Sequence, residues 1–195
     1  MKGYGGLVVY VDDFVACFQY KEEFYKHLKG RMEHFGMTLE ESESNLIEFG
    51  SFAEERCKRE GKNPGIFTFL GFTHYCPHGR NGKFRVARKT SRKKFAKKCK
   101  EVHRLIRDRR TMPVKVIIKK MNEILVGYYH YYRITDNYQS LSNFRYRMIQ
   151  SLYKWLNRRS QKRSYNLEEN QRHVKSISVS DAKNLCERIC KIAVE

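Results

Sequence analysis

Two adjacent acidic residues near the start of the chain are its best candidates for metal chemistry. Asp12 and Asp13 follow the apolar run 7–11 and precede a second apolar run, 14–18. This pattern predicts a hairpin of two short strands that carries the acidic pair at its turn. Neighbouring carboxylates beside apolar strands repel each other, and a bound cation offsets that repulsion.

Magnesium suits this pair because it prefers carboxylate oxygens and keeps open positions for phosphate oxygens. The chemistry predicted for Asp12 and Asp13 is therefore Mg²⁺-assisted phosphoryl transfer. A two-metal reaction of this kind needs at least one further carboxylate from elsewhere. The alternative is a solvated turn, in which Asp is a favoured residue, and the dipeptide by itself favours that alternative.

Positive charge is concentrated in the centre of the chain. The 195 residues carry 40 Lys and Arg against 21 Asp and Glu, a formal net charge of +19. Residues 1–79 hold 9 basic and 12 acidic side chains, residues 80–163 hold 26 and 4, and the remaining residues hold five of each. A surface that is basic only for solubility would spread this excess, whereas a nucleic-acid-binding face concentrates it.

Basic side chains crowd the start of the first helix predicted in this central block. Cations at a helix N-terminus oppose the helix dipole, at a cost of about 0.3–1 kcal/mol each when exposed. Such a cluster suits phosphate contacts, because each neutralised phosphate releases counterions, and a solvated charged face is the alternative. The candidate nucleic-acid-binding residues are Arg88, Lys89, Arg92, Lys93, Lys94, Lys97, Lys98, Arg133, Arg158, Arg159, Lys162 and Arg163.

Hydrophobic spacing divides the chain into a mixed first part and a helical second part. The first part is predicted to hold the hairpin and then a helix over 24–35 that ends at Gly36. Strands are predicted at 46–49 and 67–72, with a loop over 51–65 between them. A second hairpin is predicted to pair strands 72–75 and 84–86 through a turn at Asn81-Gly82. The second part is predicted to hold helices over 95–106, 114–132 and 141–155, with Ser91 and Ser140 as N-caps and Pro113 in a first turn. These are the marks of an α+β protein that ends in a helical bundle.

Aromatic residues mark the ends of the second and third predicted helices. Tyr128 and Tyr132 fall on an apolar stripe and are predicted to pack in the core, as is Trp155. Tyr129 and Tyr131 point elsewhere, where they could stack on bases or line a groove.

Five segments, taken in order, carry a family resemblance. They are Tyr10-Val11-Asp12-Asp13-Phe14, residues 46–50, Thr68-Phe69-Leu70-Gly71-Phe72-Thr73, residues 122–132 and residues 155–164. The first resembles the Tyr-X-Asp-Asp box of reverse transcriptases. The second and third are similar to segments of group II intron proteins, the third to their primer grip. The last two resemble motifs of the thumb, or maturase, domain of that family.

This resemblance implies a domain organisation. Residues 1–88 would form the C-terminal part of a reverse-transcriptase palm, built from antiparallel hairpins and a helix. Residues 89–165 would form an all-α, three-helix thumb/maturase domain, and residues 166–195 a divergent tail.

The resemblance also implies a function, that of an RNA-directed DNA polymerase and intron maturase. Asp12 and Asp13 would bind catalytic Mg²⁺. The basic helices would hold structured intron RNA and an RNA/DNA template–primer. The primer 3′ end would be supported by Phe69, Leu70, Gly71 and Phe72.

Several features depart from the family pattern. The family's third metal-binding carboxylate and its finger motifs lie upstream of the acidic hairpin, so a missing N-terminal half is expected and the chain alone should not polymerise. Val9 and Val11 replace residues usual in the box, and Glu43 stands where a lysine near the nucleotide phosphates is usual. The alternatives are a non-catalytic RNA-binding maturase remnant and, third, a generic basic DNA-binding module.

Cysteine spacing and hydropathy predict where the protein resides. The six cysteines form no CxxC pair, which predicts a reducing, cytoplasmic setting. No apolar run approaches the roughly 20 residues that span a membrane, and no membrane partner is expected. His74, Cys76 and His78 alternate but lack a partner at zinc-ligand spacing, so zinc is not predicted.

Overall fold

Two small antiparallel sheets and five α-helices make up the described part of the protein. The structure is a computed structural model that describes residues 5–38, 44–77, 84–159 and residue 168. The strands are β1 (Gly5–Tyr10), β2 (Asp13–Phe18), β3 (Phe67–Phe69), β4 (Phe72–Tyr75) and β5 (Ala87–Thr90). The helices are α1 (Lys21–His34), α2 (Ser51–Arg59), α3 (Arg92–Asp108), α4 (Val114–Tyr132) and α5 (Tyr138–Leu156). The α+β class is confirmed, whereas the assignment of residues 1–88 to a palm stays a prediction.

The predicted acidic hairpin is confirmed. Strands β1 and β2 pair from Gly5 opposite Phe18 to Tyr10 opposite Asp13, so a two-residue turn joins them. Every residue of β1 is exposed, including Val9 at 60%. An apolar run of this kind is typical of a buried strand, but no second layer covers β1 within the described residues.

Helix α1 confirms the first predicted helix. Its C-cap is Phe35, and Gly36 follows with a φ of 65°, a backbone conformation that favours glycine. The ring of Phe24 stacks on Phe18 at 4.2 Å and joins α1 to the hairpin.

The segment between α1 and β3 differs from its prediction. Residues 51–59 form α2 instead of a loop, because Ala53 and Cys57, four residues apart, share one buried helix face. The predicted strand at 46–49 is wrong. In this segment the Gly65 amide donates a hydrogen bond to the Glu48 carbonyl, and the Phe49 ring makes an edge contact with the Phe67 ring.

The second sheet has the order β3-β4-β5. Strand β4 pairs with residues 87–90, from Phe72 opposite Thr90 to Tyr75 opposite Ala87, so the predicted partner strand at 84–86 is wrong. In β5 the end residues Ala87 and Thr90 are buried, and the two cations between them, Arg88 and Lys89, are exposed. Because two of its four residues are charged, the hydropathy of this segment does not indicate a strand. The predicted Asn81-Gly82 turn lies outside the described residues.

The three helices predicted after residue 88 are confirmed, and they enclose the main core. Ser91 caps α3, its hydroxyl accepting the Lys94 amide at 3.3 Å, and Pro113 is the N-cap residue of α4. Ser140 lies inside α5, so its predicted capping role is wrong: the 3₁₀ turn Thr135–Asn137 runs directly into the helix. The core side chains are Val102, Ile106, Ile117, Met121, Leu125, Tyr128, Leu141, Phe144, Met148, Ile149, Leu152 and Leu156.

The predicted domain boundary between residues 88 and 89 falls within β5. The predicted tail, apart from residue 168, lies outside the described residues. None of the described helices is both long enough and apolar enough to cross a lipid bilayer.

Candidate nucleic-acid interface

Five cations follow one side of helix α3. They recur at spacings of four, three, four and three residues, which places them on one helix face. All five are exposed. At a rise of about 1.5 Å per residue they extend over roughly 21 Å. We call this set the α3 track: Lys93, Lys97, Lys100, Arg104 and Arg107.

The acidic side chains of the central block are too few to neutralise it. Residues 80–163 contain four, and each is already paired with one cation. The pairs are Lys98–Glu101 at 3.2 Å, Arg107–Asp108 at 2.8 Å, Lys120–Glu123 at 2.8 Å and Arg85–Asp136 at 3.0 Å. Because four carboxylates cannot neutralise 26 cations, the block keeps a net charge of +22 that attracts an external anion.

A groove of about 320 Å³ runs between α3 and α5 at the second half of the α3 track. Lys100, Arg104 and Arg107 line it from α3, and Arg147 lines it from α5. Its remaining lining residues are Cys99, Val102, His103, Met148 and Ser151.

A chain of hydrogen bonds supports one wall of this groove. The indole Nε1–H of Trp155 donates to His103 Nε2 at 3.3 Å, and His103 Nδ1 lies 3.2 Å from the Ser151 hydroxyl. Because Nε2 accepts, the proton of a neutral ring resides on Nδ1, which then donates to Ser151. Burial lowers the pKa of His103, and so do the nearby charges of Lys154, Arg107 and Arg158, which favours this neutral form.

Trp155 lies at the edge of the core instead of inside it. It is half-buried and packs against the core cluster, a partial departure from its prediction. Three cations lie over its ring, with centroid distances of 5.2 Å for Arg158, 5.8 Å for Lys154 and 5.9 Å for Arg110. Its faces are therefore occupied by cations, which strengthens the positive potential beside the groove.

The other cations predicted to bind nucleic acid lie on β5, in the first half of α3 and at the ends of α4 and α5. Arg88 and Lys89 are exposed on β5, and Lys89 lies 4.8 Å above the Tyr75 ring. Arg92 and Lys94 are exposed in the first turn of α3, and Lys98 is half-buried. Arg133 is the half-buried C-cap of α4, and Arg159, exposed after α5, donates to the Met112 carbonyl. Lys162 and Arg163 lie outside the described residues.

The tyrosines at the end of α4 differ from the prediction in which of them are buried and which are exposed. Tyr128 is in the core as predicted, stacked on Phe144 at 3.9 Å, and burial raises its pKa to about 12. Tyr132 packs against the core, as predicted, but so does Tyr129, which was expected to be available to bases. Tyr131 is the one exposed member of the four.

The Leu70-Gly71 turn between β3 and β4 docks on the end of α4. Both residues have positive φ, 48° and 78°, as a two-residue hairpin turn of this kind requires. The Tyr131 hydroxyl donates to the Leu70 carbonyl at 3.0 Å, and the Phe72 ring stacks on Tyr131 with centroids 6.0 Å apart. The predicted primer-grip segment, Phe69 to Phe72, is therefore in direct contact with the helical unit that α3, α4 and α5 form.

The acidic pair lies at the tip of the first hairpin. Asp12 is in the turn, Asp13 begins β2, and both are exposed. Val11 has a φ of 56°, which a β-branched residue adopts only at a cost of about 1–3 kcal/mol. Among the described residues no three His, Cys, Asp or Glu side chains come together as a metal-binding group. Two carboxylates with substrate phosphates are nonetheless a donor set that Mg²⁺ accepts.

Sequence reasoning missed the groove. Arg104, Arg107 and Arg147 were not among the candidates, and neither was the His103–Ser151 pair. The spacing of three and four residues that continues from Lys93 to Arg107 is the signal that could have found the α3 track. The contribution of Arg147 depends on how α5 packs on α3, and no local pattern shows this.

The fold and the interface define an α+β protein with a cationic helical unit suited to a polyanion. Residues 92–174 match a family model described as the maturase-specific domain of group II introns. The match begins at the first residue of α3 and includes α3, α4 and α5. No curated protein matches the chain.

Proposed function

We propose that this chain is a maturase-type protein that binds structured group II intron RNA through the cationic surface that α3 and α5 form. The proposal depends on one observation, that the matched segment and the concentration of positive charge lie in the same part of the chain. Residues 92–174, which match the maturase-specific domain, also hold 22 of the 40 Lys and Arg against 6 of the 21 Asp and Glu.

The charge arrangement supports a phosphate backbone as the ligand. Each acidic residue of the central block already has a partner, so additional anions must come from outside the block. A line of cations about 21 Å long can contact several successive phosphates, and each contact releases counterions.

Salt-dependent binding to intron RNA tests this proposal. We expect affinity for the RNA to fall linearly with salt on a double-logarithmic plot, and we expect Lys93→Gln/Lys97→Gln to reduce the slope by about 2. Lys115→Gln/Lys119→Gln removes the same charge from α4 and serves as the matched control. Equal affinity for duplex DNA and intron RNA at about 200 mM salt would instead favour a generic DNA-binding module.

A second function, RNA-directed DNA polymerisation, is supported by the contact between the Leu70-Gly71 turn and α4. In this proposal an N-terminal half supplies the fingers and a third carboxylate, Asp12 and Asp13 bind Mg²⁺, and the helical unit holds the template–primer. The contact supports it because a primer-supporting turn must be held against the element that holds the duplex. Bound Mg²⁺ would neutralise charge on the transferred phosphoryl group.

Primer extension separates this function from that of a non-catalytic RNA-binding remnant. An assembly of this chain with a reverse-transcriptase N-terminal half should extend a primer on RNA with Mg²⁺, and Asp12→Ala should reduce the rate at least about 100-fold. Glu33→Ala, which removes an exposed carboxylate from α1, is the control. Extension that survives Asp12→Ala would refute the catalytic role, and an inactive wild-type assembly would favour the remnant.

A further inference from the structure

We infer that the groove between α3 and α5 is a discrete phosphate-binding site that holds one backbone phosphate of the bound RNA. This inference rests on the proposed function and adds a specific location to it. The ligand class follows from the lining, which combines four cations with a hydroxyl group and contains no carboxylate.

The cations approach the groove from both walls. Arg104 on α3 and Arg147 on α5 line it from opposite helices, and Lys100 lies one helical turn before Arg104. None of these three forms an ion pair with any residue that the structure describes. Guanidinium groups from two helices can each present a fork of N–H donors to the same anion, a geometry that one exposed helix face does not offer.

The hydrogen-bond chain behind the groove fixes the direction of a further donor. Since Trp155 donates to His103 Nε2, the ring donates from Nδ1 to the Ser151 oxygen. The hydroxyl proton of Ser151 is then left to donate into the groove, towards a phosphate oxygen. His103 and Trp155 are positioning residues, because they act on the ligand only through Ser151.

The volume of the groove matches its ligand. About 320 Å³ is enough for a phosphate and part of its sugar but is at the lower limit of pockets that enclose a drug-sized molecule. An RNA strand that follows the α3 track would reach the groove at Lys100 without leaving the helix surface.

The single tryptophan of the chain provides a direct readout of this site. Trp155 is hydrogen-bonded to the groove wall, so a bound anion should change its fluorescence. We expect titration of the full chain with inorganic pyrophosphate, at ionic strength matched with sodium chloride, to give a saturable change. Arg104→Gln/Arg147→Gln should weaken this binding about 100-fold, and Ser151→Ala about 3-fold to 10-fold, with unchanged helix content.

The matched control is Lys115→Gln/Lys119→Gln, which removes two charges outside the groove and should change pyrophosphate affinity less than about 3-fold. The same variants are then compared for intron RNA, where the groove variant should bind at least about 10-fold more weakly than the control. Absence of a saturable pyrophosphate response, or equal RNA affinities for the two double variants, overturns the inference. Pyrophosphate binding without RNA binding by the wild-type chain would support the anion site and refute the proposed function.

Discussion

Asn137 and Thr90 are joined by two hydrogen bonds of 2.7 Å, one in each direction. The Thr90 amide donates to Asn137 Oδ1, and Asn137 Nδ2 donates to the Thr90 hydroxyl. Nδ2 also donates to the carbonyl of Tyr132 at 2.9 Å. Asn137 thus ties the last residue of β5 to the end of α4, and the second sheet and the helical unit meet at a fully buried side chain.

Replacing Asn137 should therefore destabilise the whole unit. Asn137→Ala leaves the Thr90 amide, the Thr90 hydroxyl and the Tyr132 carbonyl without this partner in a buried site. We expect the free energy of unfolding, measured with urea, to fall by about 3 kcal/mol. Gln139→Ala, two residues away and exposed, should change it by less than about 0.5 kcal/mol. A loss for Asn137→Ala as small as that would contradict the role given to Asn137.

Gly71 should tolerate a side chain less well than Gly36, although both have positive φ. A Cβ on Gly71 would lie 3.0 Å from the Tyr132 hydroxyl, whereas a Cβ on Gly36 would meet nothing within 4 Å. Both substitutions by alanine carry the backbone cost, about 1–2 kcal/mol, and only Gly71→Ala adds a steric one. Urea unfolding of the two variants should show the larger loss for Gly71→Ala.

Removing the Tyr132 hydroxyl tests the cause of that difference. In a Tyr132→Phe background the alanine at position 71 has more room, so its cost should approach that of Gly36→Ala. If Gly71→Ala and Gly36→Ala are equally destabilising in the wild-type background, the docking of the Leu70-Gly71 turn on α4 is weaker than the structure indicates.

The helices after residue 88 could be predicted because their signals are local. Apolar residues three and four positions apart define each buried stripe, and Phe144 and Met148 are two of these core positions on α5. The first hairpin could also be predicted from the sequence, since an acidic pair between two apolar runs indicates a turn. These features depend on residues that are close in sequence.

The errors concern features whose partners are distant in sequence. In helix α2 the apolar residues described as buried are Ala53 and Cys57, and two small residues in a largely polar segment give too weak a helical period to predict the helix. Strand β5 is chosen over residues 84–86 by its register with β4 and by the bond from Thr90 to Asn137, 47 residues away. The groove needs α3 and α5 side by side, so the three lining residues that α5 contributes, Arg147, Met148 and Ser151, could not be predicted from local sequence patterns.

The two serines predicted as N-caps should respond differently to alanine. Ser91 accepts the Lys94 amide, so Ser91→Ala should lower the free energy of unfolding by about 1 kcal/mol. Ser140 lies inside α5, where alanine is the better helix former, so Ser140→Ala should be neutral or slightly stabilising. Thermal unfolding of both variants measures this, and a larger loss for Ser140→Ala would show that α5 begins later than in the structure.

His103 should titrate at a lower pH than an ordinary histidine, and Trp155 should report it. Burial and the nearby cations lower the pKa of His103 from 6.5, so the unfolded chain takes up this proton before the folded chain does. Its contribution to stability is therefore complete above pH 6.5 and is lost as the pH falls through the folded pKa. Protonation also removes the lone pair that accepts the Trp155 indole hydrogen.

Fluorescence is the better measurement, because the pKa of His74 is also lowered and makes the pH dependence of stability ambiguous. Emission from Trp155 should change with a midpoint below pH 6.5. His103→Gln keeps an acceptor that does not titrate and should abolish the transition, whereas His130→Gln, on an exposed position of α4, should preserve it. A transition that persists in His103→Gln, or a midpoint above the ordinary value, would mean that Trp155 senses another group and that the Trp155–His103–Ser151 chain does not form in solution.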